Sequence, residues 1–327
     1  MLRKIDWEGQ IGRRLKMRDL HVFFTVAQQG SMGKAAAQLG VSPPTVSEVI
    51  ADLEHGLGVK LLDRSSHGVE PTIYGHALLK RGLAAFDELK QGIRDIEFLS
   101  DPTSGELRIG CSEPVSAAIL PPIVHRFMQQ YPRVILHVND VPPPTRDLAG
   151  LRDRKHDLVL NRLVMPLERD PLEDDLNVEV LFDDPLVVVA GIRTRWARRR
   201  KIDLAELIDE PWILAQPGTW NYTCVAEAFQ ARGLDMPKVS LITISVALRT
   251  YLLAHSPYIG AFQRSLMRLN ADHYALKMLP VDLPVRPSPV VIATLKNRTL
   301  SPVAHRFIAC AREVARSMVS KPPTRKS

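Results

Sequence analysis

The chain has 327 residues, 45% of them hydrophobic, enough for two or three domains with cores of their own. Its formal charge of +7 permits a polyanionic partner without demanding one. Cys111, Cys224 and Cys310 are odd in number and far apart, with no CxxC or Cys/His spacing, so neither a disulfide framework nor a zinc site is suggested. Apolar runs such as "PLVVVAG" (185–191) are far below membrane-spanning length, and the charged N-terminus has no signal-peptide core, so the protein reads as cytosolic. No nucleophile elbow, metal spacing or phosphate loop appears, and no catalytic residue, cofactor or metal is expected.

Three short helical patterns come first. "RDLHVFFTVAQQG" puts Leu20, Phe23, Phe24 and Ala27 on one face and stops at Gly30. Ser31 caps "MGKAAAQLG", where Ala35, Ala36 and Leu39 face inward. In "VSPPTVSEVIADLEHGLG" two prolines are tolerable only in a helix's first turn, where the missing N–H has no partner to lose, so Ser42 caps a helix that starts at residue 43. Val46, Val49, Ile50, Leu53 and Leu57 form its inner face; Pro44, Ser47, Glu48, Ala51 and His55 lie opposite. The second and third helices, joined by "GVS", make a helix-turn-helix pattern or an ordinary helical hairpin.

"VKLLDRSSHGVEPTIYG" (59–75) then reads as strand, polar turn and return strand, a wing in which Arg64 and His67 would meet phosphate or the minor groove. Thr72 caps a long helix of roughly 74 to 99, with Leu78, Ala85, Leu89, Ile93 and Ile96 in one stripe. That stripe suits dimerisation, or packing against the rest of the same chain.

From "FFTVAQQGSMGKAAAQLG" through the wing, the head resembles that of LysR-type transcriptional regulators, and the resemblance covers nearly the whole chain. It implies an α+β multidomain protein: a winged helix-turn-helix (18–75), a linker or dimerisation helix (74–100) and an α/β two-lobed, periplasmic-binding-protein-like effector domain (105–316). Lobe one would be 105–180 plus 283–316 and lobe two 181–282, with an N-terminal extension (1–17) and a tail (317–327) outside. The implied partners are double-stranded operator DNA, a small-molecule effector, RNA polymerase and further copies of the chain in a dimer or tetramer, in the cytoplasm at the nucleoid. Since chains of this family commonly begin a few residues before the first helix, translation from Met17 is an alternative to Met1.

Two positions depart from the family pattern. Pro43 stands where a base-reading glutamine is usual, and Glu48, with Asp52 and Glu54 beyond it, where a basic residue is frequent. Glutamate repels phosphate but accepts from cytosine N4 in the major groove. The expected readers are therefore Pro44, Ser47 and Glu48, with Pro43 stiffening the helix start. Ser31, Lys34, Ser42 and Arg64 would hold phosphates and set register. Residues 1–104 carry 13 Lys+Arg and 13 Asp+Glu, a neutral balance that predicts weak nonspecific binding. The surplus lies downstream, six charges of it in "RTRWARRRK" (193–201), a solvated face or a nucleic-acid contact.

After "DPTSG" the period changes. "ELRIGC", "VILHVND" and "DLVLNRL" read as strands around a helix "AAILPPIVHRFMQQYP", and the alternation continues to a closing helix at 301–316, which argues for largely parallel sheets. Ligands of such sheets bind beyond the carboxyl ends of strands. There Ser112 and Ser116 offer hydroxyls, Asn161 and Arg162 fall at the lobe crossing, and Trp220 and Phe262 would line walls, unless the serine is only a cap and the tryptophan only core. Arg162 would grip a carboxylate bidentately, whereas Glu113 opposes an anion, so the effector is an organic acid or a polyol or sugar acid. The alternative is a regulator that answers to a protein or to its own concentration, its cleft vestigial.

Overall fold

The computed structural model describes residues 15–65, 68–141, 148–162, 175–284 and 288–320. The chain divides into two compact units between Gly92 and Ile93. In the first, α1 (Met17–Gln29), α2 (Met32–Leu39) and α3 (Pro43–Leu57) stop at Gly30, Gly40 and Gly58, all left-handed, where a side chain would be strained. Ser31 and Ser42 cap α2 and α3, accepting from the amides of Lys34 and Thr45, each at 3.4 Å. Strands β1 (Leu62–Ser65) and β2 (Gly68–Pro71) pair antiparallel with Arg64 opposite Val69. Helix α4 (Ile73–Ser100) follows, its start capped by Thr72, whose hydroxyl accepts from Gly75 N at 3.1 Å.

Phe23, Val26, Ala35, Ala36, Val46 and Ile50 make the dry centre of this unit, as their helical spacing requires. Val69 joins from the wing, and Phe86 of α4 sets its ring edge-on to Phe24 at 5.3 Å. The unit is a winged helix-turn-helix.

In the second unit β3 (Ser104–Cys111) lies parallel to β4 (Arg133–Asp140) and to β5 (Leu158–Arg162). Helices α5 (Glu113–Ala118) and α6 (Leu120–Gln130) lie between β3 and β4, and α7 (Ala149–Arg152) precedes β5. The one helix expected from 117 to 132 is thus two, because Pro121 and Pro122 have no N–H with which to continue α5. β6 (Leu176–Asp184) continues past Pro185 as β7 (Leu186–Gly191), which belongs to a different sheet.

The second sheet also contains β8 (Trp212–Leu214), β9 (Val239–Ile242), β10 (Ile259–Gln263) and β11 (Leu276–Met278). Its helices are α8 (Trp220–Gln230), α9 (Val246–His255) and α10 (Arg264–Tyr274). The chain then returns to the first sheet as β12 (Ser288–Leu295) and closes with α11 (Pro302–Ser320). Strand order is β4-β3-β5-β12-β6 in the first sheet and β11-β7-β10-β8-β9 in the second.

The sheets are mixed, not largely parallel. β12 runs antiparallel to β5 and β6, and β7 antiparallel to β10 and β11. The cause is topological: the chain enters and leaves the second sheet by strands, β6–β7 and β12, and not by helical crossovers. One apolar core runs through both halves, with Leu266 and Met267 of α10 joining Val115 and Ala118 of α5. A second core, around Trp212, Val225 and Phe229, belongs to the second sheet alone.

Candidate functional site

Helix α3 begins with Pro43 and Pro44 in its first turn, both exposed. Glu48, Ala51 and His55 are exposed along the same face and Ser47 is half-buried there, while Val46, Ile50 and Leu53 hold the opposite face in the core. Lys34 and Arg64 are exposed and make no ion pair among the described residues. Ser42 is already engaged, its Oγ lying 2.8 Å from Thr45 Oγ1 as well as capping the helix. His67 lies outside the described residues.

Glu54 does not belong to this exposed face. It is buried and accepts from the amides of Leu61 and Leu62 at 2.9 and 3.2 Å and from Lys60 Nζ at 2.6 Å. Burial pushes its carboxyl up, but the bonds from Lys60, Leu61 and Leu62 together outweigh it and hold the pKa below the ordinary value. On α4, Leu78 packs on the head's core, whereas Leu89, Ile93 and Ile96 are exposed by 56%, 58% and 65%.

A cleft in the second unit holds about 680 Å³ of empty space, its mouth included. Ser112 and Asn161 line it and are joined: Ser112 Oγ donates to Asn161 Oδ1 at 2.7 Å. Ser112 makes no side-chain capping bond to α5, so the reading of it as only a cap does not hold. Arg162 N also donates to Asn161 Oδ1, at 2.9 Å, which fixes the amide with Nδ2 as its remaining donor.

Arg162 lines the cleft but is no free clamp. Its Nη2 is bonded to Asp184 and, at 3.3 Å, to Ser265 Oγ, while Ser265 N and Oγ donate to the same Asp184 at 2.9 and 2.5 Å. The guanidinium is thereby neutralised at the crossing between sheets, leaving Nε and Nη1 buried without partners. Trp220, half-buried at the start of α8, lines the cleft beside Thr219 and Asn221. Ser116 does not line it; its hydroxyl donates to Glu113 O at 2.9 Å within α5. Phe262 is core, because β10 turns that side chain away from the cleft and under another residue.

That residue is Arg249, which the sequence reading missed. Its guanidinium sits 4.1 Å over the Phe262 ring, its Nη2 donates to Ala261 O, and its Nε has no partner. Burial pushes its pKa down to about 10 against the opposing field of Glu113, so it remains a cation at neutral pH. Gln263, at the strand end "AFQ" (261–263) from which the sequence singles out only Phe262, donates from Nε2 to Asn221 Oδ1 at 2.7 Å and leaves Oε1 buried and unpartnered. Glu113 reaches across from α5, its Oε1 accepting from Val246 N at 2.9 Å, and Asp140 ends β4 at the cleft rim.

Cys224 is buried, and burial followed by the charge of Glu227 pushes its thiol up to about 12, which makes it an inert thiol. Among the described residues no cluster of His, Cys, Asp or Glu could hold a metal, and no helix is long and apolar enough to cross a membrane.

Comparison with known proteins agrees with this architecture. Residues 17–76 match the model for the bacterial regulatory helix-turn-helix protein, lysR family, and residues 100–316 that for the LysR substrate binding domain. The chain is 26% identical over 289 residues to the uncharacterized HTH-type transcriptional regulator YdcI of Escherichia coli, covering 88% of this chain and 92% of that protein. It is 25% identical over 301 residues to the HTH-type transcriptional regulator GbpR of Azospirillum brasilense, covering 91% and 86%. Among solved structures it is similar to full-length CbnR complexed with target DNA, at a TM-score of 0.60 and 19% identity, covering 92% of this chain and 100% of that one. A full-length OxyR variant from Pseudomonas aeruginosa gives a TM-score of 0.62 and 22% identity, covering 96% and 99%. Both halves of the chain are matched in their expected order, and the protein belongs to the LysR family of DNA-binding transcriptional regulators.

Proposed function

We propose that this regulator reads an operator through the exposed face of α3 and answers to a small molecule held in the cleft of its second unit. The observation that carries the effector reading is the cleft wall: Arg249 (2% exposed), Gln263 (4%) and Arg162 (4%) all keep polar atoms without a protein partner. Buried polar groups left unpaired are costly, and a ligand that satisfies them is favoured for the same reason.

On the DNA side Pro44, Ser47 and Glu48 contact base edges, while Ser31, Lys34, Ser42 and Arg64, with His67 of the wing, hold the backbone. The chain works as a dimer or tetramer joined through the outward apolar stripe of α4, recruits or contacts RNA polymerase, and resides in the cytoplasm at the nucleoid. Its functional parts are the head (18–75), the linker helix (74–100) and the effector domain, with lobes 105–180 plus 283–316 and 181–282.

A thermal-shift screen of small organic acids, sugar acids and amino acids tests the effector reading. A saturable ligand at 100 times its Kd stabilises the fold by about 2.7 kcal/mol. A screen in which no compound shifts the transition favours a regulator that answers to a protein or to its own concentration.

A further inference from the structure

Resting on the effector reading above, we infer that the cleft takes a small zwitterion, a molecule with one carboxylate and one ammonium group, as in a free amino acid. The carboxylate half of the inference comes from Arg249. Its guanidinium is buried on the wall, stacked on Phe262, with one nitrogen on the Ala261 carbonyl and Nε unpartnered. No carboxylate lies within ion-pair distance of it among the described residues, in contrast to Arg162, which Asp184 already neutralises. A buried cation without a counter-ion is a standing invitation to an anion. The Nδ2 amide of Asn161, fixed by the two bonds its Oδ1 accepts, adds a neutral donor for the same group.

The ammonium half comes from what else faces that space. Glu113 uses one carboxylate oxygen on Val246 N, and Asp140 at the rim makes no ion pair among the described residues. Gln263 leaves an acceptor, Oε1, buried and unpartnered, while one N–H of its Nε2 donates to Asn221. One guanidinium with no carboxylate in contact therefore shares the cleft with two carboxylates and an amide oxygen. A simple mono- or dicarboxylate would satisfy Arg249 but be repelled by Glu113 and Asp140. A neutral sugar would leave Arg249 unpaired. A zwitterion pairs with both signs and leaves the cleft's net charge unchanged.

The test is calorimetric titration of the full chain with three sets of probes: the proteinogenic L-amino acids, their α-hydroxy acid counterparts, and plain carboxylates and sugars such as succinate, benzoate and galactose. The expected result is saturable binding of at least one amino acid, with its hydroxy acid counterpart weaker by about tenfold or more. Asp140→Asn, at an exposed position, should weaken the amino acid by about tenfold while tightening the hydroxy acid, a reversal that misfolding cannot mimic. Arg249→Met should weaken every carboxylate-bearing probe, with circular dichroism checking that it folds. If succinate, benzoate or galactose binds and no amino acid does, the zwitterion inference is overturned while the effector reading stands. If no probe of any set binds, both fall.

Discussion

Glu48 stands on the exposed face of α3, where phosphate would repel it, and its proposed role is to accept from a cytosine amine in the major groove. Glu48→Gln should relax the preference at one cytosine-bearing position of the operator, by about 1–3 kcal/mol, as read by competition between operator variants. An unchanged preference would remove Glu48 from the readers. Glu54, two turns on, is a structural residue with an opposite fate. Glu54→Ala leaves the amides of Leu61 and Leu62 unsatisfied and should cost the head about 1–3 kcal/mol in urea denaturation. Because its folded pKa lies below the ordinary 4.5, its contribution is present in full above that value and is lost as pH falls through the lowered folded one. Melts between neutral and acid pH should therefore show a decline that Glu54→Gln flattens. In sequence Glu54 looked like one more acid beside Glu48 and Asp52, since nothing local announces that its partners are amides seven and eight residues away. Arg249 is legible in the sequence: Val246, Arg249, Thr250 and Leu253 form the buried stripe of α9, and an arginine on such a stripe signals a functional or paired charge.

Among the elements, the head was readable almost residue by residue, because caps, prolines and terminal glycines are local signals. Helix α4 shows where local rules stop. Alanine ordinarily gains about 1 kcal/mol over glycine inside a helix, yet a Cβ on Gly75 would come within 2.1 Å of the Leu61 carbonyl oxygen. Gly75→Ala should accordingly destabilise the head by about 1–3 kcal/mol, lowering its thermal midpoint. Farther along, Leu89→Glu combined with Ile93→Glu places charge on the exposed stripe and should weaken self-association by about tenfold or more, measured by sedimentation. An unaltered association constant would move the interface elsewhere. The sheets were less legible. "EVLFDDPLVVVAG" reads as one apolar run, and only pairing over long sequence separations divides it at Pro185 into strands of two sheets. The helix Arg264–Tyr274 escaped because its composition is polar on average, although its few apolar residues, Leu266 and Met267 among them, lie on one face.

At the scale of the whole molecule, one chain carries a DNA-binding head and a ligand-sized cleft built from two sheets. The order of these parts was visible in the sequence as a switch from helical to alternating periods near residue 105. The cleft's location followed from the rule that ligands bind beyond strand ends, and Ser112, Asn161 and Trp220 do line it. Its chemistry did not follow, because hydrogen bonds such as Ser112 to Asn161 and Arg162 to Asp184 decide which polar atoms remain to be satisfied, and these join residues far apart in sequence. Residues 1–104 carry no net charge and so have little nonspecific attraction to DNA, and in the proposed reading binding rests on the contacts of α3 and the wing. The most direct test is nuclease footprinting of the purified protein on the DNA upstream of its own gene across a salt titration. The predicted result is protection of two half-sites whose centres lie about one helical turn apart, 34–36 Å, or a multiple of it, persisting at moderate salt. Diffuse protection that fades uniformly as salt rises would contradict it.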